Sequence, residues 1–215
     1  MFFLSGCNLR CPWCHNRELV TGEAEGLVSL EDALAHLRKR RGVLGGVVLS
    51  GGEPCLWEML PDLIAEIKAI PLPVKLDTNG MLPAMLEKLF ALKETSPDYI
   101  ALDLKIAPAR YAELAQREDS GNNLIKSAAL IRESGIAHEY RTLALPGGYI
   151  NESDIEALAP LVDNAPWYFR PFAGGNCFEP AWDNMEEPAV EARARLEALA
   201  ARARELGKAV CVPGE

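Results

Sequence analysis

The sequence predicts an α/β fold built as an open, partial (β/α)6 barrel with parallel strands. Short apolar runs typical of buried strands alternate along the chain with amphipathic stretches typical of helices. Most of these runs begin about 25 to 40 residues apart, the length of a strand, a crossover helix and two loops. Six such units are fewer than the eight of a closed barrel. A doubly wound parallel sheet is the alternative architecture.

The predicted strands are the apolar runs themselves. They cover residues 2–4, 47–50, 74–77, 99–104, 139–145 and 167–171, and a last short strand is predicted at 209–212. Helices are predicted between them, near 59–70, 82–93, 123–134 and 152–161. An earlier helix begins at Ser29, which forms a capping-box variant with Asp32, and ends near Gly42. The longest helix, near 187–206, ends at Gly207, a residue that suits a helix C-terminus.

Composition and charge limit the class of protein. The 215 residues suit one domain, residues 1–215, in which 176–215 form a C-terminal helical extension. The net charge of −9 argues against nucleic acid as a partner. The chain has no membrane-length apolar run and no signal peptide, so we predict a cytoplasmic protein without a membrane partner.

Three cysteines near the N-terminus, Cys7, Cys11 and Cys14, have the spacing C-x3-C-x2-C. Three such thiolates can hold three corners of a cubane iron–sulfur cluster and leave the fourth iron open to substrate. Disulfides are disfavoured because six cysteines in 215 residues are sparse and three of them cluster. A structural zinc site would need a fourth ligand from a second Cys or His pair, which the chain lacks. The spacing therefore favours a cluster over zinc.

Polar residues also follow the second and third predicted strands, where parallel α/β folds place their functional residues. After the second strand comes Ser50-Gly-Gly-Glu-Pro, in which the glycines would let a ligand approach the backbone and Glu53 could accept from an ammonium group. The third strand ends in Asp77-Thr-Asn-Gly, of which the last two residues are an ordinary turn signal.

The fourth and fifth predicted strands carry charged residues. Asp103 and Lys105 share one face by the two-residue period of a strand, so they either bind a ligand or form a structural ion pair. Arg141, on the fifth strand, could bind a carboxylate or a ribose with its planar guanidinium.

Taken in order, Cys7 to Asn16, Ser50-Gly-Gly-Glu-Pro, Asp77-Thr-Asn-Gly and Asp103-Leu-Lys resemble the radical S-adenosylmethionine (SAM) superfamily. Cys14-His-Asn and Asp103-Leu-Lys are similar to the glycyl-radical-enzyme activases of that superfamily, which activate pyruvate formate-lyase and anaerobic ribonucleotide reductase. The resemblance covers roughly residues 1–172 and implies the partial barrel of these enzymes. Members of the family carry a longer segment before the first cysteine than the six residues here, which implies either a truncated first strand or a misassigned start.

The resemblance implies a [4Fe-4S] cluster and SAM as cofactors. The residues that it implies for the cluster are Cys7, Cys11 and Cys14. Those that it implies for SAM are Trp13, His15, Gly51, Gly52, Glu53, Asp103, Lys105 and Arg141. Asp77, Thr78 and Asp103 match residues that hold a monovalent cation in some activases.

The resemblance also implies reductive cleavage of SAM to a 5′-deoxyadenosyl radical, which makes a glycyl radical on a partner enzyme. A small protein such as flavodoxin or ferredoxin would donate the electron. Pyruvate formate-lyase activases carry a histidine after the sixth strand, where this chain has Pro171-Phe-Ala, and this difference favours the ribonucleotide-reductase type or another activase. Two alternatives stay open: a radical SAM enzyme acting on a small molecule, such as a 7-carboxy-7-deazaguanine synthase, and a non-catalytic iron–sulfur or zinc scaffold.

Overall fold

The computed structural model describes residues 1–115, 120–185 and 188–214. Seven parallel strands form one sheet in chain order, each hydrogen-bonded to the next, and the first and last strands are its two edges. A doubly wound sheet reverses its strand order at a switch point. Because this order never reverses, the open partial barrel is confirmed. The strands are β1 (Phe2–Leu4), β2 (Val47–Gly51), β3 (Val74–Thr78), β4 (Tyr99–Asp103), β5 (Ala137–Ala144), β6 (Trp167–Pro171) and β7 (Val210–Cys211).

The helices lie between the strands, as the amphipathic pattern predicts. Ser29 accepts a hydrogen bond from the backbone N–H of Asp32 at 3.1 Å, which confirms the predicted cap. The predicted start of the longest helix at Glu187 lies outside the described residues. No described helix has the length and apolar character needed to cross a bilayer. The helices are α1 (Arg17–Thr21), α2 (Leu30–Arg40), α3 (Leu60–Ala69), α4 (Pro83–Phe90), α5 (Ala112–Ala115), α6 (Ser120–Glu133), α7 (Glu152–Leu158) and α8 (Ala189–Glu205).

The two faces of the central strands differ in chemistry. The strand register places apolar side chains on one face, where they are buried; they include Leu49, Leu76, Ile100, Leu102, Trp167 and Phe169. The opposite face of β3 to β6, which we call the polar face, carries Lys75, Asp77, Tyr99, Asp103, Glu139, Arg141, Tyr168 and Arg170. In a barrel this face is the interior, so charged groups line it where the strands end.

The C-terminal segment contributes to the same sheet. Strand β7 pairs with β6, and α8 packs against α7, β5 and β6. The face of α8 that carries Leu196, Leu199 and Ala203 is buried, as expected for core packing. The described residues of this segment therefore close one edge of the fold.

Candidate active site

A cavity of about 400 Å³ opens where the parallel strands end. The loop after β1, the turn after β2 and the ends of β3 to β6 all contribute to its wall. Every site residue predicted from the sequence lines it. These residues are Cys7, Cys11, Trp13, Cys14, His15, Gly51, Gly52, Glu53, Asp77, Thr78, Asp103, Lys105 and Arg141. The parallel sheet thus gathers at one edge residues that are up to 134 positions apart.

The cysteine loop after β1 is held by its own backbone and by Arg10. The Arg10 guanidinium donates to the carbonyl oxygens of Cys7 and Leu9 at 2.7 and 2.9 Å. The N–H of Leu9 and the side-chain amide of Asn79 lie 3.4 and 3.8 Å from the sulfur of Cys7. Hydrogen bonds of this kind tune the reduction potential of a cluster held by the sulfur. The shape of the loop is therefore fixed by hydrogen bonds within the chain.

The thiols of this loop are free, and two of them are poor acids. Burial raises the pKa of Cys11 to about 12, and burial also raises the pKa of Cys7. Such thiols stay protonated until a metal supplies positive charge.

The spacing of the ligands distinguishes a cluster from a single ion. Among residues 1–115, 120–185 and 188–214, no three His, Cys, Asp or Glu side chains are grouped closely enough to hold one metal ion. In a cubane each thiolate binds a different iron, so the three sulfur atoms need not converge. The donor set therefore fits a cluster.

The two glycines at the end of β2 are required because the backbone of residues 3–6 lies against them. A Cβ on Gly51, whose φ is +116°, would lie 2.5 Å from the backbone N and O of Leu4. A Cβ on Gly52 would lie 2.0 Å from the carbonyl oxygen of Gly6. The side-chain amide of Asn16 donates to the carbonyl oxygen of Gly51 at 3.0 Å, which ties the same turn to the cysteine loop. The sequence suggested close approach of a ligand, and the structure shows close approach of the chain.

Glu53 lies under this turn with 1% of its surface exposed. Its carboxylate accepts hydrogen bonds from the N–H of Cys55 at 3.0 Å, the hydroxyl of Thr78 at 2.8 Å and the N–H of Asn79 at 2.7 Å. Burial nevertheless raises the pKa of Glu53, although these donors lower it. Oε2 accepts only the Asn79 bond and keeps a lone pair. A carboxylate oxygen with a free lone pair can accept an N–H of an ammonium group.

Ion pairs connect the polar residues of β3 to β5. The Arg141 guanidinium lies 3.2 Å from Asp77 Oδ2 and 2.6 Å from Glu139 Oε1. Lys75 and the hydroxyl of Tyr99 also bind the Glu139 carboxylate, each at 3.0 Å. Burial raises the pKa of Asp77 although Arg141 lowers it, and Asp77 Oδ1 is buried without a hydrogen-bond partner. This atom is a buried acceptor that no group among the described residues satisfies.

Asp103 and Lys105 form the ion pair that the sequence allowed, with Nζ 3.2 Å from Oδ2. Burial lowers the pKa of Lys105, but the Asp103 carboxylate and Cys11 raise it well above its ordinary value, so the amine stays charged. The side chain of Asp103 is 36% exposed, which leaves part of its carboxylate open to a ligand. A paired but accessible carboxylate and ammonium can bind the polar groups of an amino acid.

The three groups predicted for a monovalent cation are not brought together as side chains. Thr78 points to the other face of β3, where it donates to Glu53 and accepts the N–H of Gly80 at 3.2 Å. Of the three residues, only Asp77 and Asp103 have side chains on the polar face, and each already has a cationic partner. The arrangement therefore does not fit the predicted set of three ligands.

Sequence reasoning missed an aromatic cluster behind the cysteine loop. Trp13 packs against Tyr149 and Trp182 with ring centroids 5.1 and 5.5 Å apart, and its surface is only 4% exposed. The N–H of Glu179 donates to the carbonyl oxygen of Pro12 at 2.9 Å. Glu179 and Trp182, which follow β6, thus help to hold the cysteine loop in place. No local pattern in the sequence signals such contacts, because the partners are more than 130 residues apart.

Comparison with known proteins gives the family. Residues 1–162 match the Radical SAM superfamily. The chain is 32% identical over 176 residues, 78% of its length, to a protein of Methanocaldococcus jannaschii named "putative glycyl-radical enzyme activating enzyme", of which it covers 70%. It is 28% identical over 174 residues to the pyruvate formate-lyase-activating enzyme of Listeria monocytogenes, covering 76% of this chain and 69% of that one.

Of two other similarities, one covers a smaller part of the chain and one concerns its fold alone. A 7-carboxy-7-deazaguanine synthase of Hyperthermus butylicus is 39% identical over 82 residues, which are 38% of this chain and 34% of that protein. The crystal structure of Streptococcus suis SuiB bound to precursor peptide SuiA superposes with a TM-score of 0.72 at 16% identity, over 99% of this chain and 48% of that one. The chain thus spans about half of SuiB, and at this identity the likeness concerns the fold alone.

Proposed function

The chain belongs to the radical SAM superfamily, and from that membership we propose that it generates a glycyl radical on a partner enzyme. Enzymes of this family use a [4Fe-4S] cluster and SAM. When bound and reduced by one electron, the two cofactors supply a carbon-centred radical that can remove a hydrogen atom from a glycine. The chain itself would hold both cofactors in place, exclude water and present the cavity to the partner.

In this proposal some cavity residues bind the cluster and others bind SAM. Cys7, Cys11 and Cys14 bind the cluster, since their thiols are the sulfur donors of the cavity wall. The open acceptor of Glu53 receives the amine of SAM, beside Gly51 and Gly52. Lys105 is charged and suits the carboxylate of SAM. Asp103 and Arg141 lie beside it at the ends of β4 and β5, and Trp13 and His15 line the same cavity.

The single observation that carries the choice of a protein substrate is the similarity, over 78% of this chain, to the archaeal protein named as an activating enzyme. The role of Asn16 adds to it. The Cys14-His-Asn sequence is the activase-like part of the cysteine motif, and its Asn16 ties the loop to Gly51. A small electron-transfer protein such as flavodoxin or ferredoxin completes the proposal. So does a cytoplasmic, reducing compartment, because all six cysteines are free thiols.

The experiment is an anaerobic mixture of the reconstituted protein, reductant, SAM and candidate glycyl-radical enzymes. We expect a glycine-centred radical signal on one partner, with 5′-deoxyadenosine formed in step. Formation of 5′-deoxyadenosine without a radical on any partner would contradict the activase function. Absence of any cleavage by protein with a full cluster would contradict the enzymatic proposal as a whole.

A radical SAM enzyme acting on a small molecule is the second candidate. It is favoured by the 39% identity to a 7-carboxy-7-deazaguanine synthase, which covers only 38% of this chain. Small heterocyclic substrates should then increase the formation of 5′-deoxyadenosine when no protein partner is present. The same assay, run with and without partner proteins, separates the two candidates.

The cluster ligands give the strongest prediction. Cys7→Ala, Cys11→Ala and Cys14→Ala should each lose the cluster, because only three protein thiolates hold it. The parent should hold about four irons per chain. Cys55→Ala is a matched control, since this buried thiol contacts Thr78 at 3.6 Å and lies outside the loop. Iron content and the cluster absorption measure both, and retention of a normal cluster by Cys11→Ala would overturn the assignment.

A further inference from the structure

The ion-paired residues of the polar face, taken together with Lys105, balance one another in charge. Three carboxylates, those of Asp77, Asp103 and Glu139, face three cationic groups. The cations are the ammonium groups of Lys75 and Lys105 and the guanidinium of Arg141. The group is therefore neutral without any added ion. We propose that Arg141 is a built-in counter-ion that takes the place of a monovalent cation beside Asp77 and Asp103.

The geometry of Arg141 supports this role. Its Nη1 lies 3.2 Å from Asp77, while Nε and Nη2 hold Glu139 at 2.7 and 2.6 Å. Asp103 and Arg141 are direct neighbours in the register of β4 and β5, so the same guanidinium lies beside the second acid. The Glu139 carboxylate holds the guanidinium through these two bonds. Lys75 and the hydroxyl of Tyr99 hold the same carboxylate in place. A positive charge is thus kept beside Asp77 and Asp103, the two acids that were predicted to bind a cation.

The remaining contacts disfavour a bound ion. Thr78, the third predicted ligand, has its hydroxyl committed to Glu53 and Gly80. A monovalent ion at Asp77 would have to share a carboxylate with a guanidinium that is already 3.2 Å away, and like charges repel at this distance. The inference concerns the folded chain and does not depend on the identity of the partner enzyme.

The test uses the cluster-free protein, so that it is independent of catalysis. Thermal unfolding is measured at one ionic strength in potassium chloride, sodium chloride and the chloride of N-methyl-D-glucamine, a cation too large for the site. The melting temperature of the parent should be the same in all three salts. For Arg141→Met, potassium or sodium should raise it by about 2–4 °C over N-methyl-D-glucamine. The reason is that Asp77 and Asp103 then attract a free cation.

Two controls make the result specific. Arg170→Met removes a guanidinium from the same cavity wall; Arg170 stacks on Tyr168 at 5.8 Å and pairs with no carboxylate among the described residues. This variant should show no cation response. Arg141→Lys keeps the charge and should also show none. A response of the parent to potassium, or equal responses of Arg141→Met and Arg170→Met, would overturn the proposal.

If Arg141→Met does not fold in any salt, the double variant Asp77→Asn/Arg141→Met decides the question. Removal of both charges should restore folding without a cation response, because the counter-ion and its carboxylate are lost together. Failure of the double variant to regain folding would show that Arg141 acts through other contacts, and would overturn the proposal. Binding of SAM to the reconstituted parent should likewise be unchanged between potassium and N-methyl-D-glucamine.

Discussion

Glu53 and Asp103 line the same cavity, but their carboxylates are held by different groups. Glu53 is 1% exposed and is bound by two backbone N–H groups and a hydroxyl. Asp103 has a side chain that is 36% exposed and is bound by the ammonium group of Lys105. Neutral donors fixed by the backbone define one geometry, whereas a flexible lysine can move when a ligand arrives. The comparison separates a framework acid from a ligand-facing acid.

The framework region joins two loops through the Glu53 carboxylate and a third through Asn79. Glu53 connects the turn after β2 to the start of the 3-10 turn at Cys55 and to the end of β3 at Thr78 and Asn79. Asn79 in turn reaches the cysteine loop, where its side-chain amide donates to Asn8 at 2.9 Å. Because these bonds converge on a buried group, the relative positions of the loops depend on it. The Asp103 region contains no comparable junction.

Glu53→Ala should therefore have the largest effect on stability. It leaves two backbone N–H groups and a hydroxyl without acceptors in a buried place, and we expect a loss of about 3–5 kcal/mol in the free energy of unfolding. Asp103→Ala, a matched change in the same cavity, should cost less than about 1 kcal/mol because the pair is partly exposed. Denaturant unfolding of the cluster-free proteins measures both. Equal losses would remove the distinction between the two acids.

SAM binding should depend on the Asp103 region even though the stability of the fold does not. Asp103→Ala and Lys105→Ala should weaken SAM binding roughly ten- to a hundredfold, through loss of a charged hydrogen bond, with normal iron content. Lys126→Ala is the control, since this lysine forms an exposed pair with Glu87 far from the cavity wall. Titration of the reduced cluster with SAM, followed by electron paramagnetic resonance, measures the affinity. Unchanged affinity in both variants would show that the pair is structural.

The smallest effect concerns the pH dependence of stability. Although burial raises the pKa of Glu139, Lys75 and Arg141 lower it below its ordinary value, about 4.3. Its carboxylate therefore stabilises the folded state above that pH, and the contribution is lost as the pH falls through the lowered pKa. Between about pH 5 and pH 3 the parent should lose up to about 1 kcal/mol more stability than Glu139→Gln.

Glu53 sharpens this comparison because its pKa is raised. Burial favours the neutral form of Glu53. The part of the stability that comes from its protonation is therefore greatest below the ordinary glutamate pKa and is lost as the pH rises through the raised pKa. The two acids thus impose opposite slopes on stability. Unfolding of the parent and of Glu139→Gln across the acid range would show the difference, and parallel curves for the two proteins would contradict the role of the Glu139 ion pairs.

The amino-acid sequence alone was enough to predict the sheet, most of the helices and the membership of the site. Strand and helix periods are local, so apolar runs such as Val47 to Ser50 identify strands without knowledge of their neighbours. Parallel strands also share a direction, and this places the residues that follow each strand at one edge. For this reason Cys7, Gly51 and Lys105 could be assigned to one cavity before the structure was known.

The tertiary structure alone decided which partners these residues have. Asp77 and Thr78 are adjacent in sequence, yet side chains alternate between the faces of a strand. The Thr78 hydroxyl therefore bonds to Glu53, and the Asp77 carboxylate pairs with Arg141. The contact of Trp13 with Trp182 likewise depends on how the chain returns after β6. Such pairings follow from strand register and packing, which arise from the whole fold. A local pattern therefore predicts where a charged group lies but not which partner neutralises it.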